Sequence, residues 1–177
     1  MFKSNPFHLL VCVSVMFLSG CGYTTSSNLA GHLKTIHVET FKNKIKFSQE
    51  DQRNIYLPLL EVDVRNAVID RYLFDGNLKI AERSQADLVL RGSLIGYQRD
   101  PLRYTDSDDV QEYRVRIIVS LELYDQVKQT VMWSETGFAG EADYFVTGSQ
   151  ASTEESAVKD ATIDLARRIV ERTIENW

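Results

Sequence analysis

The strictest pattern in the chain is an alternation of apolar and polar residues from Tyr113 to Tyr124. The apolar positions are Val115, Ile117, Val119, Leu121 and Leu123. A period of two is typical of a strand that packs one face against a core and leaves the other open. The segment therefore predicts a central strand in a sheet that is covered on one face.

Other segments extend this sheet. The predicted strands are His32 to Phe41, Ala86 to Arg99 and Val131 to Ala139, and Leu78 to Ala81 is a candidate short edge strand. Within the second of these, Leu88, Leu90 and Leu94 are expected on one face, and Val89, Ile95 and Tyr97 on the other. A tight turn is predicted at Asp125 to Lys128, and Asp100 to Glu112 has the composition of a polar loop.

Two segments show the period of a helix. Apolar residues recur at helical spacing from Pro58 to Phe74 and from Ser152 to Ile174. Ser152 and Glu155 have the spacing of a capping box at the start of the second helix. Two helices on one face of a single sheet would bury both apolar stripes. We therefore predict an α+β fold, a two-layer sandwich with two α-helices on one face of a mixed four-stranded β-sheet.

The N-terminus has the layout of a bacterial lipoprotein signal. Lys3 precedes an apolar run from Phe7 to Leu18, which is short for a spanning helix, and the sequence Leu-Ser-Gly-Cys follows. That ending resembles the lipobox, where the thiol of Cys21 receives a diacylglycerol and the chain is cut just before it. We expect residues 1–20 to be the signal peptide and 21–31 a lipidated flexible tether. An ordinary secretory signal or a short membrane anchor is the alternative.

Composition narrows the function of the remaining domain, residues 32–177. The net charge of the full chain is −5, which argues against nucleic-acid binding through overall positive charge. Cys12 would leave with the signal peptide and Cys21 would carry lipid, so no disulfide is expected. Gly22 follows the cysteine, and the absence of an aspartate there favours the outer membrane.

Patterns that would support catalysis are missing from the sequence. No Gly-x-Ser-x-Gly elbow or phosphate-binding loop is present, and His32 and His37 have opposite parity on the predicted first strand. The acidic run around Asp106 lacks the glycine and glutamate positions of a calcium-binding EF-hand loop. We therefore predict a protein that is not an enzyme and needs no cofactor or metal beyond the diacylglycerol and N-acyl lipid on Cys21.

Two basic sets are candidate phosphate contacts. One contains Lys42, Lys44 and Lys46, and the other contains Arg99, Arg103, Arg114 and Arg116. Arginine offers a forked set of donors to phosphate, and lysine offers a point charge. A solvated charged face is the alternative for both sets.

Short motifs distributed over essentially the whole mature chain, from Cys21 onward, resemble the LPS-assembly lipoprotein LptE family. They are Cys21-Gly22-Tyr23, Phe41-Lys42-Asn43, the stretch ADLVLRG that begins at Ala86, Glu112-Tyr113-Arg114-Val115, and Leu123-Tyr124-Asp125 with Trp133. The resemblance implies two helices on a mixed four-stranded sheet. It also implies a lipid-anchored protein on the periplasmic face of the outer membrane of a Gram-negative bacterium.

The resemblance further implies a function and partners. LptE lipoproteins plug the β-barrel LptD and help it to deliver lipopolysaccharide to the cell surface. By that analogy Pro101 and Arg103 lie in a loop that faces the barrel, and Arg114 and Arg116 are candidate lipopolysaccharide contacts. The alternative is an outer-membrane lipoprotein that activates a peptidoglycan synthase or pilots a secretion channel.

Overall fold

The computed structural model describes residues 29–45 and 57–175. In chain order the elements are β1 Thr35–Val38, β2 Lys42–Asn43, α1 Leu60–Asp75, β3 Lys79–Ile80, β4 Leu88–Tyr104, β5 Val110–Asp125, β6 Thr130–Phe145 and α2 Glu154–Glu175, with a 3-10 turn at Arg83–Gln85. The predicted signal peptide, Cys21 and Lys46 lie outside the described residues.

The strands form one mixed sheet in the order β3-β1-β4-β5-β6, and β2 pairs with β4 beyond the end of β1. β1 is parallel to β3 and β4, whereas β4, β5 and β6 form an antiparallel meander. The α+β class and the mixed sheet are confirmed. The described part of the sheet has six strands rather than the predicted four, because the short segments β2 and β3 both add to it.

Both helices cover the same face of the sheet, as predicted. The inward-facing residues of β5, from Val115 to Leu123, are almost completely buried beneath them. The Tyr72 hydroxyl near the end of α1 donates to Thr173 Oγ1 near the end of α2 at 2.9 Å, so the helices run in the same direction. Burial raises the pKa of the Tyr72 phenol, which keeps this hydrogen bond neutral.

Helix α2 rests directly on the backbone of β6 at Gly140. A Cβ atom placed there would lie 2.4 Å from both the Ala161 carbonyl oxygen and Leu165 Cβ. Only glycine leaves room for this approach, because atoms at that distance overlap strongly. Gly140 therefore sets the distance between the sheet and the helix layer.

Asp87 joins the starts of β1 and β4. Its carboxylate accepts hydrogen bonds from the Lys34 N–H at 2.8 Å, the Thr35 N–H at 3.0 Å and the Thr35 hydroxyl at 2.9 Å. These bonds, led by the one from Lys34, hold the pKa of Asp87 below its ordinary value. The Asp87 side chain thus holds β1 in parallel pairing with β4 at the end of the sheet where both strands begin.

Three predicted strand boundaries were wrong at the other end of the sheet. β4 continues to Tyr104 and β5 begins at Val110, so the predicted loop Asp100 to Glu112 is mostly strand. β6 likewise continues past Ala139 to Phe145. The polar ends of β4 and β5 still form strands because their backbones pair with each other. No core lies against them, so apolar residues are not required there.

Two local details also differ from the prediction. The register shifts between Leu94 and Gly96, so Tyr97 lies opposite Ile117 and faces the helices, not the open face. Thr153 rather than Ser152 caps α2, since the Thr153 hydroxyl accepts from the Ser156 N–H at 3.1 Å. Within residues 29–45 and 57–175 neither helix combines the length and apolar character needed to cross a bilayer.

Candidate interaction surface

The β4–β5 hairpin extends beyond the helix layer. Helix α2 begins with Glu154, which contacts Tyr97 and Arg99, and residues 101–104 of β4, beyond that point, are exposed. The hairpin turn is organised by the Thr105 hydroxyl, which accepts from the N–H groups of Ser107 and Asp109. The acidic run therefore forms an ordered turn. Among the described residues no group of three potential ligand side chains is placed to hold a metal ion.

Arg99 lies on the helix-covered face. Its guanidinium donates to Glu154 Oε2 at 2.8 Å and lies 4.1 Å from the centroid of the Tyr113 ring. The Tyr113 and Tyr144 rings stack at 5.7 Å, and the Tyr97 hydroxyl donates to Glu154 Oε1 at 2.6 Å. Arg99 thus joins the hairpin to the start of α2, and this internal role was missed from the sequence.

The other three arginines face the open side of the sheet, where carboxylates pair with each of them. Arg114 donates two hydrogen bonds to Asp143, at 2.7 and 2.9 Å. Arg116 contacts Asp100 at 2.5 Å, and Arg103 lies 3.5 Å from Glu112. The candidate contacts are therefore part of a network of cross-strand ion pairs on an exposed face.

The strength of pairing differs among these arginines. The two hydrogen bonds raise the pKa of the Arg114 guanidinium and hold the pKa of Asp143 below its ordinary value. Arg103 has a single longer contact, and 60% of its side chain is exposed. Its guanidinium also lies 5.7 Å from the centroid of the Phe145 ring. Arg103 is consequently the most available of the open-face arginines for an external anion.

The remaining site candidates divide into two places. Pro101 lies on the exposed hairpin, beside the exposed side chains of Leu102 and Tyr104. Lys42 and Lys44 are also exposed, but β2 pairs with β4 at Ser93 and Leu94. Six residues of strand, about 20 Å, separate that point from Arg99. The structure does not bring the lysines and arginines into one site.

The hairpin presents a surface suited to contact with another macromolecule. It combines exposed apolar side chains at its end with paired charges along its open face, and its backbone is held by cross-strand hydrogen bonds. Such a surface offers shape and polar complementarity rather than a group for proton transfer.

Comparisons with known proteins agree with this fold. The crystal structure of protein XCC0632 from Xanthomonas campestris is similar, with a TM-score of 0.58 and 11% identity over 85% of this chain and 88% of that one. A minor lipoprotein from Acinetobacter baumannii has a TM-score of 0.50 and 16% identity over 82% of this chain and 95% of its own. The solution structure of an uncharacterized lipoprotein B from Nitrosomonas europaea has a TM-score of 0.50 and 13% identity over 80% and 83%. These identities show a shared fold alone.

The sequence comparison with families is more specific. A search of curated protein sequences gives no match. A family model described as LptE, lipopolysaccharide-assembly, matches residues 33–173, which include every described helix and strand except the last two residues of α2. The chain therefore belongs to the LptE lipopolysaccharide-assembly family.

Proposed function

We propose that this protein is an outer-membrane lipoprotein that plugs and supports an LptD β-barrel and assists lipopolysaccharide assembly at the cell surface. Acyl chains on Cys21 would hold it to the inner leaflet on the periplasmic side. A single acyl chain gives marginal binding, whereas a diacylglycerol with an N-acyl chain gives a stable anchor. Membership of the LptE family supports the role in lipopolysaccharide assembly.

The projecting hairpin is the structural observation that carries the proposal. A plug needs a rigid shape and a surface that complements a polar lumen, and it needs no catalytic group. Three long antiparallel strands supply the rigidity, and the open face of the sheet carries charges that are already paired within the chain. Paired charges limit the desolvation cost of enclosure, because neither partner is left alone.

Co-purification tests the barrel partner. The full-length protein, expressed in its host with a C-terminal tag, would be purified from detergent-solubilised outer membranes. We expect a large β-barrel protein to co-purify in stoichiometric amount, and mass spectrometry to find acyl chains on Cys21. Recovery of a peptidoglycan synthase or a secretion channel instead would favour the alternative function.

Arg103 is the side chain we expect to contact a lipopolysaccharide phosphate. Replacing Arg103 by glutamate reverses its charge at an exposed position, so binding of purified lipopolysaccharide should weaken about tenfold, as expected for the loss of one charged contact. Arg83→Glu is a matched control, because the Arg83 side chain is 58% exposed and also pairs with one glutamate, Glu39, away from the hairpin. If the two variants bind lipopolysaccharide equally well, Arg103 does not contact it.

Arg114 and Arg116 are expected to contribute less to that binding. Each would have to leave a carboxylate, Asp143 or Asp100, before it could meet a phosphate. Arg114→Lys keeps the charge but cannot form the two-point bond to Asp143. This variant should bind lipopolysaccharide at least as well as the natural chain, since its ammonium group is less firmly held.

A further inference from the structure

Strand β6 is the outer strand of the sheet, and residues that follow it in the chain contact it at three levels, at two of them through its backbone. The backbone N–H of Ser152 donates to the Phe145 carbonyl at 2.9 Å. Lower down, side chains of α2 reach the Glu141 N–H and the Ala139 carbonyl. Further along, Arg172 pairs with Glu135 at 3.3 Å. An unprotected edge strand of this length is normally a site for strand pairing between chains.

The middle closure is made by two residues one turn apart on α2. Asp164 Oδ2 accepts a hydrogen bond from the Glu141 N–H at 3.1 Å. Arg168 Nη1 donates to the Ala139 carbonyl oxygen at 2.5 Å, and its guanidinium lies 5.5 Å from the centroid of the Phe138 ring. The carboxylate is held in turn by Arg167, whose Nη2 lies 2.6 Å from Asp164 Oδ1.

These two bonds copy the pattern of a neighbouring strand. In an antiparallel pair, alternate residues of a strand direct both their N–H and C=O groups to the same neighbour. Ala139 and Glu141 are two such residues, since the Ala139 carbonyl and the Glu141 N–H both bond to side chains of α2 at the free edge. An added strand would accept from the Glu141 N–H and donate to the Ala139 carbonyl, and Asp164 and Arg168 now supply the same acceptor and donor.

We propose that the β6 edge around Gly140 is a latent strand-addition surface, and that Asp164 and Arg168 keep it closed by standing in for the added strand. The partner that fits is a single extended antiparallel strand. A second folded copy is a poor fit, because α2 lies directly over Gly140 and the α2 of that copy would need the same space. This inference does not depend on lipid anchoring or on a barrel partner.

Two double variants test the closure. Asp164→Ala/Arg168→Ala removes the surrogate acceptor and donor. Glu155→Ala/Lys159→Ala removes two exposed, oppositely charged side chains from the same helix, also four residues apart, with the same change of charge. Native-state hydrogen exchange would be measured for the Glu141 amide in both. We expect exchange to accelerate by about tenfold in the first variant, the effect of losing one hydrogen bond, and to change little in the second.

A synthetic peptide tests the predicted partner. A fluorescent peptide with the sequence of residues 136–145 can pair antiparallel with β6, with its own Ala139 and Glu141 opposite Glu141 and Ala139 of the protein. It should bind Asp164→Ala/Arg168→Ala and not the natural chain, and methylation of its Glu141 nitrogen should abolish binding. Equal exchange in the two double variants, or equal binding of the peptide to the natural chain and the variant, would overturn the proposal.

Discussion

The helix-covered part of the sheet and the uncovered hairpin share strands β4 and β5 but are stabilised in different ways. Under the helices, alternate side chains are completely buried and α2 touches the backbone at Gly140. Beyond Glu154 the strands continue with exposed side chains and ion pairs such as that between Arg103 and Glu112. Stability is therefore concentrated in the covered part.

This difference separates fold from function within single strands. Close packing makes the covered part intolerant of changes in volume. Exposed ion pairs contribute little to stability, so hairpin residues can vary with a small effect on folding. A surface that must match a partner is best placed where sequence changes have little effect on the fold.

The largest loss of stability is expected at Gly140, where an added side chain would push α2 away from the sheet. Gly140→Val places a branched side chain 2.4 Å from the backbone of α2, and it should lower the free energy of unfolding by about 3 kcal/mol. Urea denaturation measures this loss. Ala139→Val, on the open face one residue away, is the control and should change stability by less than about 0.5 kcal/mol. Similar losses in the two variants would refute the direct contact.

The next largest loss of stability is expected at the start of β1. Asp87→Asn removes the charge from a side chain that accepts three hydrogen bonds, and it should cost about 2 kcal/mol near pH 7. Because the folded state lowers the pKa of Asp87, the carboxylate stabilises the fold above its unfolded-state pKa, and this stabilisation is lost as the pH falls. The difference between the natural chain and the variant should therefore shrink below about pH 4. Denaturation curves at several pH values will show whether it does.

A smaller loss of stability is expected at Glu154, between the helix-covered part of the sheet and the hairpin. Glu154→Ala removes the acceptor shared by Tyr97 and Arg99, and it should cost about 1.5 kcal/mol. Hydrogen exchange should accelerate in the hairpin more than in the strands under the helices. Glu155→Ala, the exposed neighbour, is the control. Uniform acceleration across the sheet would contradict a local role in holding the hairpin.

The smallest effect is expected on the hairpin itself. Arg103→Ala breaks a contact at 3.5 Å between an exposed guanidinium and Glu112, so stability should change by about 0.5 kcal/mol or less. Thermal unfolding of the variant should nearly coincide with that of the natural chain. A loss comparable with that of Asp87→Asn would show that the hairpin is part of the cooperative core.

The sequence predicted the covered part well, because burial imposes a period on it. The alternation in β5 and the helical stripes under which it packs could be read directly from spacing. The hairpin carries no such period, since neither of its faces meets a helix. Its cross-strand pairs, such as Asp100 with Arg116, join residues whose pairing cannot be inferred from composition. It was therefore predicted as a loop.

The candidate site was predicted less completely than the fold. The arginines were recognised as a set, but spacing alone did not separate Arg99 from Arg114 and Arg116. That separation depends on the register shift before Gly96 and on the position of Glu154 in space. The edge closure by Asp164 and Arg168 was also beyond sequence analysis, because two charged residues on a helix are usually solvated.

The register shift after Leu94 has a consequence for the β4 strand of the hairpin. One extra residue in β4 changes the phase of the alternation, so the side chains from Gly96 to Pro101, before the next register shift, lie on the face opposite to that of a regular strand. With a regular strand, Gln98 would lie beneath the start of α2 and Arg99 would point outward. Deleting Ile95 would keep the present pairing of Gly96 to Pro101 with β5, whereas deleting Gln98 with the register shift retained would move Arg99 to the open face. The β4 side chains that a partner meets are thus specified by a count of residues as much as by their identity.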